Sequence, residues 1–370
     1  MSIVIPCLNE AAAIGQVVAE ARAALRDAAV DGEVLVVDNG SEDDSAGLAT
    51  EAGATVVTEP RRGYGSAYLA GLANARGRYV VMLDADGTYP LDDLATFVAK
   101  LRDGADLVIG SRFKGTIEPG AMPWPNRYIG NPILTGMLNS LFGSGVSDAH
   151  CGLRAIRSEV VPTLKLSATG MEFASEMVIK AGKHHLRIEE VPVDYRVRLG
   201  ESKLSRLSDG WRHIRFMLVH SPAFLFALPG GIAAAAGLAG LVALGALPSL
   251  GDNWTGVSVA FAMLTILGVG VIQLGLFART YAVIYLGEQD ERLERGWRRL
   301  RLEHGLAASS IAFVVGTSIT LVSFFDGVKD PRLGILGLAL VTVACQGVFA
   351  SFFLSILGLS EHAILRRGLR

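Results

Sequence analysis

The chain has 370 residues, enough for two domains of ordinary size. Its net charge of −2 gives it no polycation character, which excludes nucleic acid as the expected partner. Mean hydropathy is +0.40 and apolar residues make up 51%, yet charged residues are common up to about residue 215 and then thin out. Cys7, Cys151 and Cys345 lie far apart with no CxxC spacing. That excludes a disulfide framework and a zinc signature, and fits three structural thiols in a reducing compartment.

Residues 3–6 read as a first strand. Neither a basic leader, a long apolar core nor a small-residue cleavage site precedes it, so the N-terminal domain is expected to stay in the cytosol. Residues 10–28 are Ala-rich with helical spacing, and 33–38 form an apolar, buried type of strand. Residues 41–52 read as a helix with Ser41 as N-cap. Strand 54–57, helix 64–75, strand 79–83, helix 91–102 and strand 106–110 follow. Strands alternating with helices predict a mostly parallel α/β sheet. The run Val80-Val81-Met82-Leu83 fits a sheet covered on both faces. Residues 116–200 are mixed, but 189–195 read as an edge strand because Pro192 cannot donate to a ladder.

In such sheets ligands bind beyond the carboxyl ends of the strands. Asn9-Glu10, Asp38-Asn39-Gly40-Ser41, Asp84 with Asp86, and Ser111-Arg112 all stand there, so four strand ends converge on one mouth.

From residue 203 to 220, Trp211, Ile214, Phe216, Met217 and Leu218 alternate with Arg206, Arg212, His213 and Arg215. This predicts a basic amphipathic helix lying on a membrane surface, favoured over an ordinary packing helix by its place directly before a spanning segment. Four apolar segments follow at about 222–250, 257–286, 306–325 and 333–359. Each meets the ~20-residue requirement for crossing a bilayer. The expected organisation is a catalytic domain at 1–202, a juxtamembrane helix at 203–221 and a four-helix membrane domain at 222–370. Residues 287–305 hold five arginines, balanced by five acids that count for little, and Arg366, Arg367 and Arg370 follow in the tail. The positive-inside rule then puts both termini and this loop in the cytosol of a cytoplasmic-membrane protein. The mid-segment polar residues are Gln273 and Gln346, with no ionisable group at a bilayer centre. This fits an anchor and lipid platform better than an ion-coupled pathway.

Asp84-x-Asp86 carries the main chemical expectation. Both carboxylates can reach a metal once the strand ends and the chain turns. Mg2+ or Mn2+ takes one or two carboxylates and completes its shell with phosphate oxygens and water. Such an ion stabilises charge on a departing nucleoside diphosphate. A solvated Asp-Gly turn is the alternative. Asp38 suits a base or ribose edge, or caps the next helix; Glu10 has the same two readings. Arg62 and Gly63 combine a cation with close backbone approach to a diphosphate before a helix, or form a charged surface loop. Arg112, Arg127 and Arg154 carry forks that suit phosphate, or each makes a surface ion pair. Lys203 stands just before the amphipathic helix, where a lipid phosphate lies at headgroup depth. His150 and His213 read as structural or surface residues. The chain has no Ser-His-Asp order, HExxH or P-loop, and no evident general base. A phosphate acceptor needs none, since its second pKa of ~6 leaves it ionised at neutral pH.

Ile5-Pro6-x-x-Asn9-Glu10, Val36-Val37-Asp38-Asn39-Gly40-Ser41, Arg62-Gly63-x-Gly65 and Asp84-Ala85-Asp86 occur in this order. Gly110-Ser111-Arg112, Asp148-x-x-Cys151-Gly152-Leu153-Arg154, Glu190-Val191-Pro192-Val193 and Gly200-x-Ser202-Lys203 complete the series. The series resembles the family 2 glycosyltransferases that make polyprenyl-phosphate sugars, the dolichyl-phosphate mannose and glucose synthase group. It covers residues 3–203; the membrane part matches only in kind. The resemblance implies a GT-A fold, a Mg2+- or Mn2+-dependent inverting reaction, and a nucleotide-sugar donor of the UDP-glucose or GDP-mannose type. The acceptor it implies is polyprenyl or dolichyl phosphate. The donor is expected against Pro6, Asn9, Glu10, Asp38, Arg62, Gly63 and Asp84-Ala85-Asp86. Asp84, Asp86 and Arg112 are the expected catalytic residues, with Asp84 and Asp86 on the metal. The acceptor phosphate is expected against Ser111, Arg112, Arg127, Arg154 and Lys203. Self-association to a homo-oligomer is left open. Many members follow Asp-Ala-Asp with Leu-Gln, whose Gln helps bind metal; here Gly87-Thr88 follows. Cys151 stands where many have Ser, and Asn39 where many have Asp. A membrane polysaccharide synthase of the same superfamily is the nearest alternative, but no Gln-x-x-Arg-Trp is present. A non-catalytic membrane scaffold is the other, against which intact Asp84, Asp86 and Arg112 count.

Overall fold

The computed structural model describes residues 1–200, 206–246, 254–286, 302–325 and 331–367. They form two compact units, Met1–Met217 and Leu218–Arg370.

The apolar runs of the first unit form its sheet. Strands β1 (Ser2–Cys7), β2 (Glu33–Asp38), β4 (Tyr79–Met82) and β5 (Leu107–Ser111) are almost wholly buried. β3 (Thr55–Thr58) and β7 (Ile188–Pro192) are more exposed and form the two edges. Pro192 thus sits on an edge strand, as its missing N–H requires. The seven strands lie in the order β3-β2-β1-β4-β6-β5-β7. β6 (Arg154–Arg157) is antiparallel to both neighbours, with Arg154 opposite Met82 and Ile109. The other pairings, β1 with β2 and β4, β2 with β3, and β5 with β7, are parallel. The mostly parallel sheet expected from the sequence is therefore present. β6 was not anticipated, because arginines at both ends of a four-residue strand hide its apolar centre.

The chain runs β1, β2, β3 to one side and resumes with β4 on the other side of β1. The order reverses between β1 and β4, where an open α/β sheet leaves a crevice at its carboxyl edge. α1 (Ile14–Asp27) buries Ile14, Val17, Val18, Ala21 and Leu25, one face of a helix. It starts later than the Ala-rich pattern suggested, because Asn9 turns at φ 51 and the Glu10 carbonyl receives the Ala13 and Ile14 N–H groups. α2 (Ser45–Glu51) follows Asp44, not Ser41. The Ser41 hydroxyl instead accepts the Asn9 N–H at 2.9 Å, tying the β1 exit to the β2 exit. α3 (Tyr64–Asn74) packs on β1 and β2, and α4 (Leu94–Arg102) on β5 and β6. A π-turn at Asn126–Gly130, α5 (Asn131–Phe142), α6 (Val161–Leu164) and α7 (Phe173–Lys183) complete the inserted region.

α8 (Arg206–Val219) is a helix in the segment expected to lie beside the membrane. Its apolar residues do not share one fate: Met217 is fully buried in the core of the first unit while Trp211 is 59% exposed. His213, read as a structural or surface residue from the sequence, is buried, as the structural reading has it.

The second unit holds a π-turn (Ala223–Ala227) and four helices, α9 (Leu228–Ala246), α10 (Thr255–Leu286), α11 (Leu302–Phe325) and α12 (Pro331–Arg367). Phe224–Leu244, Thr255–Ile284, Leu302–Phe325 and Pro331–Leu357 are long and apolar enough to cross a membrane. They match the four segments read from the sequence. Small residues let these helices approach: a methyl on Gly230 would come within 2.8 Å of the Gly268 carbonyl, and one on Gly316 within 2.9 Å of that of Gly337. Lys203 and most of the arginine-rich loop, residues 287–301, lie outside the described residues.

Candidate active site

The crevice at the β1/β4 switch is a cleft of about 420 Å³. Pro6 and Cys7 line it from the end of β1, Asn39 from β2, and Asp84, Ala85 and Asp86 from β4. Gly63 and Tyr64 line it from the start of α3, with Glu10, Arg198 and Arg212 closing it.

Asp84 is half-buried, and its Oδ1 accepts the Tyr64 hydroxyl at 2.8 Å. A side chain at Gly152 would collide with the same carboxylate, so glycine there leaves the space that Asp84 occupies. Burial, reinforced by the negative charge of Asp86, pushes the Asp84 carboxyl up to about 6 despite the Tyr64 hydrogen bond. Asp86 is pinned by its neighbour: Oδ1 accepts the Thr88 N–H at 3.1 Å and the Thr88 hydroxyl at 2.7 Å. Thr88 is itself buried. Its hydroxyl orients Asp86, so the residue at the place of the family's Gln braces a carboxylate. Among the described residues no group of three His, Cys, Asp or Glu side chains forms a protein-only metal site. Two carboxylates that repel one another at a cleft fit a Mg2+ or Mn2+ ion that draws its remaining ligands from a diphosphate and water.

The backbone on the Gly63 side of the cleft is built by Asn39. Its amide donates to the carbonyls of Glu59 and Arg61, at 2.9 and 2.7 Å, and accepts the Gly63 N–H at 2.6 Å. An aspartate cannot make the two donations. The departure from the family's Asp therefore has a structural role: it brackets the Arg62-Gly63 loop. Gly63, at φ 145, sits where a side chain would strike the Thr169 carbonyl. Asp38 accepts the Ser41 N–H at 3.3 Å, and Asn9 Oδ1 accepts the Glu42 N–H at 2.7 Å. Arg62 is largely exposed and pairs with Glu42 at 3.0 Å, outside the cleft lining.

The expected acceptor residues have divided. Arg112 is buried and locked by a two-pronged ion pair: Nε and Nη2 donate to Asp148 at 2.7 and 2.8 Å. Its guanidinium lies 5.3 Å from the Tyr195 ring centre. Burial alone would depress Arg112, but Tyr89 and Asp148 hold it well above the usual range. Arg154 is also buried, and all three of its nitrogens donate to backbone carbonyls: Nε to Cys151 (2.8 Å), Nη1 to Ala174 (2.7 Å) and Nη2 to Ala149 (2.6 Å). It clamps the loop before β6, and the acceptor-phosphate expectation for Arg154 is withdrawn. Ser111 is buried, its hydroxyl 2.6 Å from that of Ser147, and is withdrawn for the same reason. Arg127 is half-buried on the π-turn, beside exposed Trp124, Tyr128 and Ile133. Neither Arg112 nor Arg127 lines the cleft.

Four residues join the site that sequence reasoning did not assign. Tyr64 holds Asp84. Asp148 holds Arg112, and its loop is fixed by Glu190, whose Oε1 accepts the Ser147 N–H at 2.6 Å. Asp148 was visible as the first residue of the Asp-x-x-Cys-Gly-Leu-Arg motif. Arg198 reaches across the cleft, 3.4 Å from Glu10 and 3.7 Å from Asp86. Arg212 had been read only as part of a membrane-facing stripe.

The fold and this carboxylate cleft define a glycosyltransferase of the GT-A type, and the family models and curated relatives agree. Residues 2–164 match the model for Glycosyl transferase family 2, and residues 276–358 that for the Glycosyltransferase family 2 C-terminal transmembrane region. The chain is 37% identical to the low-salt glycan biosynthesis hexosyltransferase Agl6 of Haloferax volcanii, over 97% of this chain and 89% of that protein. It is 35% identical to a dolichyl-phosphate hexose transferase of the same organism, over 57% of this chain and 89% of that one. Glucosyl-3-phosphoglycerate synthase of Mycobacterium tuberculosis, solved with Mn2+, UDP and glucosyl-3-phosphoglycerate, is 26% identical with a TM-score of 0.48. That comparison covers 60% of this chain and 79% of that one. The chain belongs to glycosyltransferase family 2 and is a glycosyltransferase with a C-terminal set of four apolar helices.

Proposed function

We propose that this enzyme transfers a hexose from a nucleoside-diphosphate sugar to a polyprenyl phosphate at the cytosolic face of the cytoplasmic membrane, with inversion. One observation carries the reading: a cleft whose two carboxylates call for a cation and a diphosphate belongs to the same chain as four bilayer-length helices. The names of two relatives, a glycan biosynthesis hexosyltransferase and a dolichyl-phosphate hexose transferase, support it.

Asp38 and Glu10 take the nucleoside, and Pro6, Asn9 and Ala85 shape its pocket. Gly63 stands beside the diphosphate, and Arg62 reaches it by leaving Glu42. Asp84 and Asp86 would hold Mg2+ or Mn2+, which when bound supplies Lewis-acid stabilisation to the departing nucleoside diphosphate. Arg198, paired with Glu10 and Asp86, supplies positive charge to the same place and swings to the diphosphate when the donor arrives. Arg112 acts from behind the cleft as a buried positive charge fixed by Asp148.

The acceptor phosphate is its own nucleophile. With a second pKa of ~6 it is largely ionised and needs no protein base. Arg127, Lys203 and Arg212 hold it. Exposed Trp124, Tyr128 and Ile133 around Arg127 have the amphipathic character of a headgroup-level surface. The positive-inside rule applied to residues 287–305 and the tail sets both termini in the cytosol.

A panel of UDP- and GDP-hexoses with polyprenyl phosphate, product read by mass and anomeric configuration by NMR, tests the reading. Sugar–phosphate–lipid product is expected with one donor and not with polyprenol. Equal use of polyprenol, or transfer only to a soluble acceptor, would overturn it. Cysteines at positions 253 and 296 should label from outside and inside respectively; the reverse pattern sinks the topology.

A further inference from the structure

Three buried polar side chains outside the cleft form one chain. His150 Nε2 lies 3.1 Å from the Ser175 hydroxyl, which lies 2.8 Å from Nδ1 of His213. The two rings meet edge to face at 4.6 Å. Ser175 and His213 are buried, and His150 Nδ1 is buried without a hydrogen-bond partner.

The three come from three separate segments. His150 belongs to the loop that carries Asp148 and Gly152, the residues against Arg112 and Asp84. Ser175 is in the first turn of α7. His213 is on α8, next to Arg212, which lines the cleft. Successive helical residues differ by ~100° around the axis, so one can point inward while its neighbour faces a rim.

The hydroxyl has a single proton and can donate to only one ring. The other ring must present an N–H to it. If Ser175 donated to His150 Nε2, a neutral His150 would carry its proton on Nδ1, as a buried orphan donor. Orphaned buried N–H groups are rarer than under-satisfied acceptors. The chain therefore runs from His150 Nε2–H to the Ser175 oxygen, and from the Ser175 hydroxyl to His213 Nδ1. Both rings are neutral in this arrangement. Burial, with His213 on α8, Arg154 on β6 and Arg112 after β5 around it, keeps His150 well below its ordinary range.

We propose that His213 is a positioning residue, tied through Ser175 to His150, which sets the rotation and register of α8 so that Arg212 stays on the rim of the transferase cleft. A slip or rotation of α8 breaks the tie and carries Arg212 away. The target of Arg212, the acceptor phosphate, rests on the function proposed above; the tie itself does not.

The test uses the full-length protein in lipid nanodiscs, comparing Ser175→Ala, His213→Phe and His213→Asn. An asparagine amide oxygen falls close to the place of Nδ1 and can accept the Ser175 proton. The Ala and Phe variants are expected to raise the KM for polyprenyl phosphate about 5- to 20-fold, the size of a lost buried partner. The donor KM should stay within about twofold, and His213→Asn should recover most of the loss. Equal defects in Phe and Asn, or parallel changes in both KM values, overturn the proposal. Nitrogen-15 spectra of histidine-labelled protein give a reading independent of turnover. They should show neutral His150 protonated on Nε2 and neutral His213 with bare Nδ1 at pH 7, with both signals moved by Ser175→Ala. The opposite tautomers, or a cationic ring, refute the tie. If wild-type protein glycosylates no polyprenyl phosphate while these spectra hold, the proposed function fails and the tie stands.

Discussion

The two units differ in how far their hydroxyl groups reach. In the first, some stay local, as Thr50 and Thr88 do, but others bridge segments far apart in sequence: Ser41 to Asn9, Ser45 to Glu10, Tyr64 to Asp84, Ser147 to Ser111. In the second, six hydroxyls among the described residues return to the same helix four residues earlier. Ser258 donates to Trp254, Thr265 to Phe261, Ser318 to Val314, Thr320 to Gly316, Thr342 to Leu338 and Ser351 to Gly347. Glycines follow the same division: Gly63 and Gly152 make room for the cleft, while Gly230, Gly268, Gly316 and Gly337 let helices touch. A helix exposed to lipid must satisfy its polar groups internally, since no water will do it. A catalytic cleft needs the reverse, with distant segments cross-tied so that charges keep their places.

The largest effect that would break this contrast lies at the carboxylates. Asp86→Ala should lower turnover about 100-fold or more, as removal of other electrostatic stabilisers does. Chelation of divalent metal should do the same. Full activity in EDTA would falsify the metal assignment. Gly152→Ala is expected to cost roughly 10- to 100-fold by displacing Asp84. Its apparent metal affinity should fall while the circular dichroism spectrum is unchanged; normal kinetics would show that the close approach is immaterial.

Asp84 also links the site to stability. Its carboxyl rises from 3.8 to about 6 on folding, so the folded state binds this proton more tightly. Stability from this group is fully present below the lower value and is lost as pH rises through the upper one. The ionised side chain therefore destabilises the metal-free protein at neutral pH. Asp84→Asn should be more stable than wild type by roughly 1–3 kcal/mol at pH 7.5 in EDTA. The gain should vanish near pH 4, and transfer should be lost. A gain that does not change with pH would remove the electrostatic explanation.

Asn39→Asp replaces two donations by carboxylate–carbonyl repulsion and should cost about 1–3 kcal/mol of stability. Protease sensitivity should rise within residues 59–63; an unaltered melting curve would show that the bracket is dispensable. The smallest effects test the comparison itself. Ser45→Ala strips the Glu10 N–H of its acceptor and should cost ~1 kcal/mol. Thr320→Val removes only a bond back to its own helix and should cost about 0.6 kcal/mol or less. Equal losses in the two variants would erase the distinction between the units.

Much of the site was legible because its chemistry sits at strand ends. Pro6, Glu10, Gly63, Asp84, Ala85 and Asp86 were expected near one mouth and do line one cleft. Ser111 and Arg154 misled because an arginine or serine in a motif says nothing about who uses its donors. Arg154 spends all three nitrogens on carbonyls of residues 149, 151 and 174. Those partners come from α7 and a loop that no spacing rule connects. Thr88 and Asn39 looked like departures from a pattern; their hydrogen bonds show them bracing Asp86 and the 59–63 loop.

The sequence by itself determined what depends on local period and composition. Strand runs, four membrane-length helices and the carboxylate pair are written in neighbouring residues, because burial on both faces, a ~30 Å hydrocarbon layer and a metal each demand a short contiguous pattern. Tertiary structure alone decided what depends on distant partners. It inserted β6 antiparallel between β4 and β5, took Arg112 and Arg154 out of solvent, and brought Arg198 across to Asp86. It also joined His150 and Ser175 to His213, 63 residues beyond His150 in the chain. A buried polar group must find a partner wherever the fold supplies one, and that choice is made in space.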